Sequence, residues 1–332
     1  MENPEGRARQ TYFPEIDSLR FVAAFLVLLS HSIEHFGISH GELGRLGIIL
    51  FFLISGFVNG ESLRRDKIPS HFMVKRFFRL YPAFLASIAG AVLIYGTNLP
   101  KLLCNLTMLP SMLGQPELIG VYWTLEVEIV FYASLLIFTQ FWKIDRAEHI
   151  AGAVLAFCLA GLIWQHLRTA NLIHPSDPYR KFLAFIAIIY CGALFRIAHT
   201  NPSKRWMSLG MAVLALGCLS FPSLKRPLEM STYWIALAAF LWVIHYKRRG
   251  PNFLSWGGKI SYSIYLFHGL VLSLLIGYVN FTWTPTALFV AALVGAIAIG
   301  AIVYYAVEKP TNRLGHFLVQ KIMKPKIIKK YA

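Results

Sequence analysis

Charge is scarce in this 332-residue chain: only 14% of its residues are Asp, Glu, Lys or Arg, against about 25% in a soluble domain. With 56% hydrophobic residues alongside, this excludes an ordinary water-soluble globule and makes lipid the main solvent. Cysteine is nearly absent. The four present, Cys104, Cys158, Cys191 and Cys218, are scattered without C-x-x-C spacing, so neither a disulfide framework nor a metal knuckle is expected. Also missing are an internal repeat, a low-complexity tract and a separate soluble domain. No small-residue cleavage pattern follows the first apolar block, which therefore reads as a retained signal anchor.

What is present is a series of apolar blocks of membrane-spanning length. Hydropathy places them near residues 16–36, 45–61, 78–97, 122–141, 149–167, 181–198, 206–221, 230–246, 260–280 and 285–306. The expected fold is all-α, a polytopic membrane helical bundle of about ten transmembrane helices. An even count puts both termini on one side. Basic residues crowd positions 7–9, 64–79, 143–146, 204–205, 247–259 and 309–330, whereas the alternate loops offer only Arg45, Lys101, Arg168, Arg180, Lys181, Lys225 and Arg226. Because basic loops are retained in the cytoplasm, both termini are predicted cytoplasmic. The expected organisation is a cytoplasmic N-terminal segment (1–15), a membrane domain (16–308) and a basic cytoplasmic tail (309–332). The formal charge of +16 is thereby explained by topology and by attraction to anionic membrane lipid, and no nucleic-acid partner is implied.

Within the first block, Arg20 and His31 stand eleven residues apart, three helical turns plus roughly 20°, and so share one face about 16 Å apart along the axis. Ionisable groups inside a span usually face a bundle interior or a wet cavity. Arginine suits phosphate and histidine is the common general base, so the pair predicts a shared channel that a phosphorylated carrier can thread. The bland alternative is a snorkelling arginine and a histidine satisfied between helices. Arg76 and Arg79, three apart before a span, can grip one polyanion, although a positive-inside loop looks similar. Tyr122 and Trp123 fit an interfacial aromatic belt, but Glu128 inside the apolar run needs a partner, for which His31, Arg45 or a sugar hydroxyl are candidates. Residues 261–268 bring a second intramembrane histidine, His268. The connection 98–120, with Pro100, Pro110, Gly114 and Pro116 around the apolar stretch 102–109, is expected to be re-entrant or interfacial. A metal site on His31 and His35 lacks a clear third ligand, and no metal is expected.

Motifs in a specific order now accumulate: Ile-Asp-Ser-Leu-Arg at 16–20 followed by His31 and Ser32, Phe-Phe-Leu-Ile-Ser-Gly-Phe at 51–57, and Arg-Phe-Phe-Arg-Leu-Tyr-Pro at 76–82. After them come Trp-Thr-Leu-Glu-Val-Glu at 123–128, the 261–268 string, and Glu-Lys-Pro at 308–310. In these the chain resembles the acyltransferase-3 family of bacterial multi-span membrane O-acyltransferases. The resemblance implies a bacterial inner-membrane enzyme that moves an acyl group, usually acetyl, from cytoplasmic acetyl-CoA (acyl-CoA) to a hydroxyl of a cell-surface or lipid-linked saccharide. It makes Arg20, Arg76 and Arg79 the donor-contacting residues and His31 the catalytic histidine, with Glu128, where the family has its glutamate, as the second catalytic candidate. Glu34, Ser55, Tyr122, Trp123, Glu126, Tyr265 and His268 are supporting candidates. Thr124 stands where the family usually has Ser, and the extra carboxylate of Glu126 leaves two glutamates as candidates. The chain also ends soon after the last span, as in a standalone member without a fused hydrolase-like domain. A transporter or flippase for an anionic or lipid-linked molecule is the rival reading; it would line a path with the same arginines but need no thioester.

Overall fold

The computed structural model describes residues 13–34, 41–66, 68–142, 146–170, 172, 179–220, 226–246, 250–278 and 284–323. The described residues contain twelve α-helices and no strand: α1 (Pro14–Glu34), α2 (Gly41–Asp66), α3 (Pro69–Tyr95), α4 (Leu99–Leu106), α5 (Trp123–Phe141), α6 (Ala147–Thr169), α7 (Tyr179–Thr200), α8 (Arg205–Ser220), α9 (Pro227–Tyr246), α10 (Asn252–Tyr278), α11 (Pro285–Val303) and α12 (Lys309–Phe317). Nine helices among these residues are long and apolar enough to cross a membrane. The expected block at 206–221 is the exception. As α8 it has 16 residues, about 24 Å at 1.5 Å per residue, short of the roughly 30 Å hydrocarbon thickness.

Local signals set several helix starts. Pro69 occupies the first turn of α3, where a missing N–H costs nothing. The Asn98 side chain accepts a hydrogen bond from Lys101 N to cap α4, and Thr284 accepts one from Ala287 N to cap α11.

Small residues let the central helices touch backbone to backbone, the usual device where lipid supplies no hydrophobic drive between helices. A Cβ on Gly47 would lie 2.5 Å from Ala23 O, and one on Gly258 only 1.9 Å from Asp17 O, so α1 is clamped between α2 and α10. The α2–α7 crossing is equally tight, with Gly56 against Ile189 O and Gly192 against Leu53 O. Gly44 sits beside Ser30 and Gly47 beside Val27, so α2 runs antiparallel to α1. Asp17 meets Gly258 while His31 meets His268, so α1 and α10 run parallel. Phe57, Phe72, Phe84, Phe131 and Phe240 fill the interior.

The connection 98–120 turns back along α3 as expected. Tyr81 Oη donates to Leu106 O (2.7 Å), which ties the end of α4 to the middle of α3. Asn105 is fully buried and staples the segment: its amide donates to Lys101 O and Pro116 O while its oxygen accepts from Leu118 N. Irregular backbone at this depth is tolerated because protein partners satisfy it.

At the other end, residues 309–323, expected as the start of a tail, are helical. α11 passes through a π-helical turn at Tyr304–Glu308 into α12, whose Gly315 packs on Phe78 of α3. Most of the N-terminal segment (1–12) and the last part of the basic tail (324–332) lie outside the described residues, as does His35.

Candidate active site

A cavity of about 100 Å³ opens between α1, α2, α3, α5 and α10. Arg20, Arg76 and Arg79 all line it, joined by a single carboxylate, Glu128. Three guanidinium groups line the cavity with one lining carboxylate, and Asp17 and Glu308 stand just beyond the lining, so the cluster offers forked donors to an anion while its own charge is largely countered. Arg20 is steadied by Asp17 one turn earlier (2.9 Å). Arg76 lies over the Phe72 ring (5.2 Å to its centroid), and its Nε is buried without a hydrogen-bond partner. Both cations of the Arg76/Arg79 pair belong to α3 itself, seven and ten residues past its start, rather than to a loop before a span. The hydropathy window had excluded this stretch because guanidinium groups at a cavity wall are indistinguishable in composition from those at a membrane edge.

Glu128 receives Ser55 Oγ (3.2 Å) and Tyr132 Oη. Asn59 bridges Ser55 (2.8 Å) and Tyr132 (3.2 Å), closing a four-residue polar ring. Neither side chain proposed from sequence as the partner of Glu128, His31 or Arg45, is the observed one. Arg45 instead pairs with Glu229 (3.1 Å) on α9, and His31 is elsewhere. Asn59 and Tyr132 were not anticipated, although each stands four residues from a named member of the ring, Ser55 and Glu128, on its own helix. The i, i+4 spacing was the available signal. Buried Glu308 accepts from Ser263 (2.8 Å) and adds an acidic neighbour to Arg79 and Arg20 at the same end of the bundle.

The two glutamates separate cleanly. Glu126 is fully buried and turned away from the cavity; its carboxylate accepts from Ser111 N (2.7 Å) and Ser111 Oγ, which pins the re-entrant connection. Tyr122 does similar structural work by bonding Ser87 (2.7 Å) against the Phe84 ring, and Trp123 packs on Phe52 and Phe185.

His31 forms a second cluster at the far end of α1. Its Nδ1 lies 3.5 Å from Glu34 Oε2, with the imidazole 44% and the glutamate 39% exposed. The His268 ring stacks on it at 5.3 Å between centroids and 26° between planes. His268 is buried; its Nδ1 is 2.7 Å from Tyr265 O and its Nε2 is without a partner. The expectation of one continuous channel is corrected here. Arg20 lines the cavity and His31 does not; the cavity lining reaches Tyr265, whose ring meets His268, and His268 in turn stacks on His31. The Tyr265 hydroxyl bonds Thr124 Oγ1 (2.8 Å) and donates to Val121 O (3.3 Å), and its ring meets Phe51 on one side and His268 on the other.

The arrangement can therefore bind a polyanion at one end and offer an accessible imidazole–carboxylate pair at the other, with one aromatic layer between. The family model described as "Acyltransferase domain" matches residues 13–305. Among curated proteins, Nodulation protein 10 of Rhizobium leguminosarum bv. viciae is 28% identical, over 92% of this chain and 95% of its own. Exopolysaccharide production protein ExoZ of Rhizobium meliloti is 28% identical over 87% of this chain and 95% of its own. Peptidoglycan O-acetyltransferase OatA of Listeria monocytogenes is 24% identical over 93% of this chain but 57% of its own length. No solved structure matches.

Proposed function

The chain belongs to the acyltransferase-3 family and is a multi-pass membrane acyltransferase, and from that premise we propose that it O-acetylates a cell-surface or lipid-linked saccharide with cytoplasmic acetyl-CoA as donor. The observation that carries this reading is the convergence of Arg20, Arg76 and Arg79 on one cavity, with His31 and Glu34 at the opposite end of the helix that bears Arg20. Forked guanidinium donors match the phosphates of coenzyme A. The thiol arm then runs along the cavity toward its Tyr265 end.

In the proposed reaction His31 acts as general base. Its free imidazole nitrogen takes the proton of the acceptor hydroxyl as that oxygen attacks the thioester carbonyl carbon. The C–O bond forms, the C–S bond breaks, and the thiolate leaves with the proton returned by the imidazolium, giving an ester and free thiol. Glu34, 3.5 Å from Nδ1, orients the ring. Glu128, bonded to Ser55 and Tyr132 within the cavity, balances the arginines before donor arrives. The basic loops support a reading in which the arginine end and both termini face the cytoplasm, in a bacterial inner membrane.

The test uses purified full-length protein. Acetyl-CoA binding is expected to survive His31→Ala and to weaken in Arg76→Ala, while transfer into surface glycan, read as a mass increment of one acyl group, is lost in His31→Ala and His31→Gln. Folded His31 variants that still transfer would overturn the general-base assignment. A protein that only moves an anion across the membrane would leave every glycan mass unchanged whether or not it binds acetyl-CoA.

A further inference from the structure

The direction of each helix orders the cavity from end to end. α10 contributes Tyr262 and then Tyr265, its last lining residue in the direction of His268. α2 runs the opposite way, so among its lining residues Ile48 and Phe51 lie farthest from the arginines and Asn59 nearest. α5 enters with Thr124. One end of the cavity is thus cationic, and the other is closed by Ile48, Phe51, Thr124 and Tyr265, three apolar or aromatic surfaces and one hydroxyl already engaged by Tyr265.

We infer that the Tyr265 ring, backed by Phe51, is the acyl-length sieve of this enzyme: the acyl group seats against it at the end of the cavity toward His268, where a two-carbon group fits and a longer chain does not. The inference rests on the donor reading above and adds the substrate class it selects. Tyr265 is suited to the task because it is fixed on every side. Its hydroxyl holds Thr124 and Val121 O, its ring lies edge-on to Phe51 at 5.6 Å, and it meets the buried His268 ring at 5.8 Å. A wall made of one tethered ring discriminates by size, since each methylene that a closed apolar pocket cannot accommodate costs about 10- to 200-fold in rate. The carrier part of the donor sits at the arginines, remote from this wall, so chain length is read in transfer and not in binding. Tyr265 is a specificity residue in this scheme; His31 keeps the chemistry.

The experiment is a donor series of acetyl-, propionyl-, butyryl- and hexanoyl-CoA, each isotope-labelled in the acyl group. It is run with the full chain in membrane vesicles, and label is counted in the saccharide fraction. Wild-type protein is expected to bind all four with similar Kd and to lose transfer by more than about tenfold between acetyl and butyryl. Tyr265→Ala and, separately, Phe51→Leu are expected to raise the butyryl-to-acetyl ratio of kcat/KM by about tenfold. The wild-type series needs no variant to fold, and Phe51→Leu is the milder change if the alanine variant does not. Equal transfer of all four donors by wild type overturns the inference alone, as does an acyl preference unchanged in both folded variants. Absence of donor binding to wild type removes the donor reading and the sieve together.

Discussion

Two residues apart in sequence, Glu126 and Glu128 show how far a side chain's role depends on where its helix face points. A step of two turns a helix by about 200°, so one carboxylate faces the re-entrant connection and the other the arginine cavity. Glu126→Gln is expected to lose charge-assisted bonding to Ser111, worth about 1.5–3 kcal/mol, and to lower thermal stability without changing donor affinity. Glu128→Gln has the opposite signature. It removes the one negative charge among three arginines in the cavity lining, so a polyanionic donor should bind several-fold more tightly by calorimetry, with little change in melting temperature. Arg76→Ala is expected to weaken donor binding by about 10- to 100-fold, equivalent to 1.4–2.8 kcal/mol, and Arg76→Lys to recover only part of it because an ammonium lacks the planar fork. From sequence the two glutamates were equivalent, since both sit in one apolar run and nothing local states which face is wet. Arg20, Arg76, Arg79 and Glu128 were legible as a chemistry because ionisable residues stand out against lipid-facing composition. The Tyr265 wall was not, because a tyrosine in an apolar helix looks the same whether it fills a core or closes a cavity.

At the level of helices, hydropathy located the ten blocks but not their true ends. α2 extends to Gly41 on one side and Asp66 on the other, and α3 starts at Pro69 rather than near residue 78. Helical hydrogen bonding continues past the apolar window wherever neighbouring protein or headgroups solvate the side chains. The re-entrant connection was readable from its prolines and its short apolar stretch. What holds it, Asn105 and Glu126, depends on contacts distant in sequence. The α2–α7 crossing carries the clearest prediction at this scale. A methyl group on Gly56 would lie 1.6 Å from Ile189 O, and backbone cannot yield as a flexible side chain does. Gly56→Ala should destabilise the bundle by about 1–3 kcal/mol or more, visible as a lower melting temperature in detergent. Gly152→Ala, where the added carbon meets nothing within 4 Å, should leave stability unchanged.

For the molecule as a whole, the net charge of +16 is a topological signature, concentrated in the set of loops that the parity of spans assigns to one face. α8 is the weak point of that parity, being about four residues short of a full crossing. The packing sets that parity, since α10 runs parallel to α1 and α11 antiparallel to α10 (Gly300 on Ile264, Gly295 on Val271), so reporter fusions at the two termini are expected to give the same reading, and opposite readings would contradict the packing. The arginine cavity and the His31–Glu34 pair occupy opposite ends of α1, and the proposed function divides the labour accordingly: donor at one face, acceptor at the other. The most direct measurement of that division uses sealed right-side-out vesicles loaded with radiolabelled acetyl-CoA, with saccharide accessible only on the outer face. Label should appear in the outer saccharide with wild-type protein and be absent with His31→Ala. Label that enters saccharide only when donor is supplied on the same side as the acceptor would contradict the account.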